Sequence, residues 1–194
     1  MMIFTHILVG ILLSIAVADF FTLPVGYAVA VGGIGGLFPD VDMLFVHRKT
    51  LHYPVLFSIL TLAAAIIYVL TTNRFASYTM IFATAAAAHS LMDTLGGGKE
   101  MRPWRETDQR AVYNHVQQEW VEPLRVFYDG SIPDLLIAIV SGVVIWYLLP
   151  SEYLLIVAPL ILLSILYTLF RRVITKWIPE EYPTFSSYIQ DKVR

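Results

Sequence analysis

The sequence predicts an all-α, polytopic membrane protein of about six transmembrane helices, with a cytoplasmic loop between the fourth and the fifth. Three observations predict it. Hydrophobic residues make up 57% of the 194-residue chain and charged residues only 14%, a balance outside the ordinary soluble class. Six apolar runs reach or approach the length needed to cross a hydrocarbon core of about 30 Å. The cations occupy alternate connections: of 13 Lys and Arg, all but Arg74 fall on one side once the six runs are threaded through a bilayer.

The first run, residues 2–18, lacks a basic leading region and a small-residue cleavage site, and another apolar run follows at once. It therefore reads as a retained span and not as a cleavable signal peptide. A tight connection at Asp19 leads into 20–38, whose GGIGG at 32–36 lets a neighbouring helix come close, and which Pro39 ends. The third and fourth runs, 53–71 and 75–95, are joined at Thr72-Asn73-Arg74, and the alanine-rich stretch 83–88 reads as a close-packing surface. Ser131, Pro133 and Asp134 suit the N-cap, the first turn and the positive dipole end of the fifth run, 132–149. Pro150-Ser151-Glu152 turns the chain into the sixth, 152–170.

The chain thus reads as a single integral membrane domain, 1–194. Residues 96–131 form its loop or lid, in which Trp104, Tyr113, Trp120, Phe127 and Tyr128 suit the headgroup level. Residues 171–194 read as an interfacial tail of basic and aromatic residues. The lopsided distribution of Lys and Arg predicts that both termini, the 39–52 loop, the lid and the tail face the cytoplasm, in the cell's inner membrane.

Four short polar signatures interrupt the apolar background: Thr5-His6, PDVD at 39–42, HRKTLH at 47–52, and HSLMD at 89–93. Ionisable groups at membrane depth are costly and mark function by default. The topology brings all four to the cytoplasmic face. His89 and Asp93, four apart on a helix, share one side of it. The Arg-Lys-Thr-Leu between His47 and His52 can turn so that both rings point inward, and Asp40 and Asp42 face the same way if their segment is extended.

With no cysteine in the chain, a metal site must use imidazole and carboxylate. His6, Asp40, Asp42, His47, His52, His89 and Asp93 are seven candidate ligands, enough for one or two divalent ions, zinc first, with manganese or iron as alternatives. Such ions generate hydroxide from water and stabilise both oxygens of an ester under attack, the logic of phosphoesterases. Asp42 is then a ligand or general base, and Arg48 is placed to hold an anionic group.

Each signature has a plainer reading alone: His6 in helix packing, Asp40 and Asp42 as a turn or cap, His47-Arg48-Lys49 as a basic anchor. Their convergence favours one shared site. His115 reads as a surface histidine, and Asp134 lies on the candidate face as well as at a helix start. The expected function is hydrolysis of a small-molecule or lipid ester, a phosphoester or lipid headgroup at the membrane surface, with membrane lipid as the partner. A net charge of −2 gives no basis for nucleic-acid binding. A divalent-cation transporter built on the same His/Asp cluster and a noncatalytic scaffold with a structural metal are the rival classes. The transporter is disfavoured because the outer halves of the spans offer almost only Ser, Thr and Tyr.

The chain resembles the LexA-regulated, YdjM-like family of inner-membrane, metal-dependent hydrolases. The likeness rests on Thr5-His6 followed by Gly10, on PDVD after a glycine-rich span, on His47-Arg48 with a second histidine at 52, and on His89 with Asp93. Where family members commonly read HRGxTHS, this chain has Lys49 for the glycine and Leu51 for the threonine; the histidine spacing is kept. The resemblance implies a multi-pass helical fold and a hydrolase activity, and carries ligand roles onto the seven residues named above.

Overall fold

Helix α1 (Ile3–Phe20) is the hub of the fold. The computed structural model describes residues 1–177. Helices α2 (Val25–Leu37) and α4 (Arg74–Leu95) pack on one side of α1, and α5 (Ile132–Leu148) and α6 (Leu154–Ile174) on the other. Helix α3 (Pro54–Thr71) packs chiefly on α4, with Phe57 also against Phe38 and Tyr68 against the Phe21 carbonyl. Leu8, Ile11 and Ile15 of α1 meet Ala138 and Ile145 of α5 and Val157 of α6 in the main apolar core.

Among the described residues, three helices are long and apolar enough to cross a membrane: α1, α3, and the stretch Ser151–Ile174 that contains α6. Within those stretches 44% of α1 is buried, against 17% of α3 and 11% of the third. The two outer helices therefore turn almost wholly apolar surfaces outward, which is favourable only where the surroundings are themselves apolar. Helix α4 has the length, but His89 and Asp93 interrupt its apolar character.

Two parts of the sequence reading need correction. The run 20–38 is not one helix, because α1 continues to Phe20, residues 21–24 turn with Thr22 at φ 56°, and Pro24 precedes the first turn of α2. Proline is favoured at a helix start, where its missing N–H leaves no bond unmade. That leaves α2 with 13 residues, about 20 Å at 1.5 Å per residue, short of a bilayer core. The fold is also not purely α-helical. Val112–Asn114 (β1) and Glu119–Val121 (β2) pair antiparallel within the 96–131 loop, with Tyr113 opposite Trp120.

Glycine decides how closely α2 approaches its neighbours. A Cβ on Gly36 would lie 2.4 Å from the His6 carbonyl oxygen, and one on Gly35 would lie 2.6 Å from that of Phe82. These are backbone atoms that cannot step aside, so the α1–α2–α4 packing requires glycine here. Asn73 caps α4 by accepting from the amides of Phe75 and Ala76, and Ser131 caps α5 by accepting from Asp134 N–H. The sixth helix runs past the expected 170, and Arg171 is buried against Asp129 (Nε–Oδ2 3.0 Å) and the Met101 carbonyl (2.8 Å). It is not part of a solvated tail. The rest of the expected interfacial tail, 178–194, lies outside the described residues.

Candidate metal centre

The start of α1, the end of α2, the residues before α3, and the end of α4 meet at one end of the bundle. Two close approaches establish this: His6 Nε2 lies 3.1 Å from Asp93 Oδ1, and His89 Nδ1 lies 2.6 Å from the Gly36 carbonyl. Between α2 and α3, Phe38–Leu44 winds as a 3₁₀ helix with Pro39 in its first turn. Successive residues of a 3₁₀ helix are about a third of a turn apart, so residues two apart diverge. Asp40 and Asp42 consequently do not face the same way: Asp40 turns to His89 (Oδ1–Nε2 3.4 Å), and Asp42 turns to the histidines of the next segment.

That next segment folds as a turn with Arg48 in the left-handed region at φ 61°. Both of its imidazoles are buried, and both are gripped by one carboxylate. His47 Nδ1–H donates to Asp42 Oδ1 (2.9 Å), and His52 Nδ1–H donates to Asp42 Oδ2 (2.8 Å). Burial pushes the Asp42 carboxyl up, but the two imidazole hydrogen bonds outweigh it and hold the group below the usual carboxylate range. Burial holds the His47 imidazole below its ordinary value, against the raising effect of its bond to Asp42.

The protons of the two innermost rings can now be placed. The Gly36 carbonyl can only accept, so His89 Nδ1 carries a hydrogen, and the carboxylate of Asp42 fixes His52 Nδ1 in the same state. In the neutral rings, His52 Nε2 and His89 Nε2 then present lone pairs, and they present them to carboxylates. His52 Nε2 is 3.3 Å from Asp93 Oδ2, while His89 Nε2 is buried with no hydrogen-bond partner. One atom from each of Asp40, His52, His89 and Asp93 lies within 4.8 Å of the other three. Four electron-pair donors facing one point inside a protein repel one another unless a proton or a cation lies between them, and two imidazoles with two carboxylates suit a divalent ion. The residues present therefore fit a metal ion, and a carboxylate or carbonyl behind each histidine is the arrangement that orients imidazole ligands.

Of the seven ligand candidates, four converge and three flank them. His6 stacks on His89 with ring centroids 3.6 Å apart, and its Nδ1 is buried without a partner. Asp42 stands behind His52, and His47 lies beyond Asp42 on the wall of a cavity of about 240 Å³. Arg48, expected to hold an anion, donates through Nη1 to the carbonyls of Gly97 (2.6 Å) and Gly98 (3.1 Å), and its Nε is 3.4 Å from Asp93 Oδ2. It lines the same cavity as Asp40, His47 and Asp93. Asp93 Oδ1 also accepts from the Met1 amino group (2.8 Å).

His115 packs its ring on Tyr53, away from the four converging atoms. Asp134 accepts from Met2 N–H (2.8 Å) and so holds the start of α1. Three contributors escape sequence reasoning: the Gly36 carbonyl, Asp129 and Tyr167. Tyr167 Oη–H donates to Asp129 Oδ2 (2.5 Å), and both residues line the cavity. They lie on or beside the last two helices, and no local pattern ties them to the first four.

Fold and site together define a helical protein with membrane-length apolar spans and, at one end of its bundle, a buried histidine–aspartate centre able to hold a metal ion. Residues 1–178 match the YdjM inner membrane protein family, and the chain belongs to that family. No curated protein and no solved structure matches the chain.

Proposed function

We propose that the protein is a membrane-embedded, metal-dependent hydrolase that cleaves an ester at the cytoplasmic face, the phosphoester of a lipid headgroup being the substrate class that suits it. The observation that carries this reading is the convergence of Asp40, His52, His89 and Asp93 on one point, with the second nitrogen of each histidine engaged elsewhere. Four such donors match a single zinc ion, with manganese or iron as the alternatives. A bound divalent ion supplies Lewis acidity and activates water near neutral pH.

The remaining roles fall to the chain itself. Asp42 orients His52 and His47 together. His47, held from behind and exposed to the cavity, is the group placed to move a proton. Arg48 supplies positive charge at the cavity wall and ties the site to the Gly97–Gly98 backbone. Removal of the metal by chelation is expected to abolish turnover of phosphoester and carboxylester lipids in nanodiscs, and reloading is expected to restore it. Full turnover in a metal-free preparation would sink the reading, as would divalent-ion flux through liposomes with no turnover.

The one-sided distribution of Lys and Arg supports placing the centre on the cytoplasmic side. The absence of native cysteine makes this directly testable. A cysteine replacing Arg74 is expected to react with an impermeant maleimide in intact spheroplasts, and one replacing Lys99 only after permeabilisation. The reverse pattern would overturn the orientation.

A further inference from the structure

We propose that the substrate reaches the metal centre sideways from the bilayer, through an opening between α1 and α6, with one acyl chain lying in an apolar groove on that face. This rests on the hydrolase reading above and names its substrate class: a membrane lipid whose polar head enters the cavity while its chain stays on the helix surface.

The first observation is continuity. The polar cavity beside the centre and an apolar groove of about 310 Å³ share Phe4 and Tyr167 as common walls. Beyond those two the groove is lined by Leu163, Leu166, Phe170 and Ile174, all on α6 and all at least 39% exposed. The rings of Phe4 and Tyr167 meet edge to face, 6.5 Å apart, where groove and cavity join. Tyr167 turns its ring to the groove and its hydroxyl to Asp129 on the polar side. An amphiphile is the one class of molecule that satisfies both halves of such a path.

The second observation is that the hairpin braces the polar side without lining it. Tyr113 N–H of β1 donates to the Arg48 carbonyl (2.9 Å), Arg48 reaches back to Gly97 and Gly98, and Ala111 and Val112, where the hairpin begins, are fully buried. Among the described residues, 96–131 contributes only Asp129 to the cavity lining. The hairpin packs on the Arg48 turn, and the walls that cavity and groove share lie at the start of α1 and in the second half of α6. Both belong to stretches with membrane-spanning length and composition.

The test uses the full chain in nanodiscs of phosphatidylethanolamine and phosphatidylglycerol, doped with a phosphatidylglycerol carrying a mid-chain diazirine. After irradiation, adducts are mapped by mass spectrometry and metal content is measured on the same sample. Adducts are expected to concentrate several-fold on Phe4 and on residues 163–174 relative to the equally apolar outer face of α3. Leu166→Trp, which fills the groove, is expected to remove that excess, while Leu62→Trp on α3 leaves it unchanged. Labelling that simply follows exposure, with α3 equal to α6, overturns the proposal. So does an excess that survives Leu166→Trp in folded protein. If that variant fails to fold, the wild-type map decides alone. Bound metal with uniform labelling overturns the groove and leaves the hydrolase reading standing; concentrated labelling with no metal does the reverse.

Discussion

His89→Ala is expected to leave the purified protein without bound metal and without activity. Its Nε2 is one of four converging donors, and its Nδ1–H bond to the Gly36 carbonyl is what aims that lone pair at the other three. Losing only an outer partner of a ligand typically weakens metal binding by about 10–100-fold, so losing the ligand should cost at least that much. Truncation also strands the buried Gly36 carbonyl, at roughly 1–3 kcal/mol for an unsatisfied group, and removes the ring on which His6 stacks. His89→Gln separates the two effects, because its amide can still donate to Gly36 but is a poor substitute for imidazole as a ligand. Elemental analysis of wild type, His89→Ala, His89→Gln and a His115→Ala control decides the matter. Wild-type metal content in both His89 variants would remove His89 from the centre.

Asp42→Asn is expected to be the most destabilising of the conservative changes, and to weaken metal binding without removing a ligand. The carboxylate accepts from two buried imidazoles at once, one through each oxygen. Asparagine keeps the shape but turns one of those oxygens into a donor facing a donor. Hydrogen bonds to a charged group contribute roughly 1.5–3 kcal/mol each, and the site is fully buried, so solvent cannot compensate. His52 would lose the contact that fixes its tautomer, for a loss of metal affinity of about 10–100-fold. Thermal unfolding in detergent and metal titration test the two halves separately. A variant with unchanged melting and unchanged affinity would mean that Asp42 neither braces the turn nor orients His52.

The helical punctuation was largely legible. Ser131 caps the helix expected of it, the connection at Thr72-Asn73-Arg74 falls between α3 and α4, and the glycines of α2 sit where backbone meets backbone. These signals are local: a cap, a proline or a glycine run acts within a few residues of itself. The same locality explains the misreading of 20–38, where continuous hydropathy concealed the turn that Thr22 and Pro24 impose. The hairpin at 112–121 was missed because strands of three residues carry almost no periodic signal. The extension of α6 to Ile174 was missed because Arg171 looks solvated by type, although Asp129 and the Met101 carbonyl receive it inside.

By itself, the sequence determined that this is an apolar helical chain and where most of its helices begin and end, and it pointed to one end for the four polar signatures that hold His6, Asp40, Asp42, His47, His52, His89 and Asp93. Hydropathy and helix punctuation are properties of neighbouring residues, so they can be read along the chain. Only the tertiary structure decided which of those residues share a centre. That choice depends on the 3₁₀ turn that parts Asp40 from Asp42, on the glycine contacts that bring Gly36 beneath His89, and on the carboxylate and carbonyl that fix each ring's proton. Ligand convergence is a matter of ångströms between atoms far apart in sequence, set by how helices cross, and no spacing along the chain encodes it.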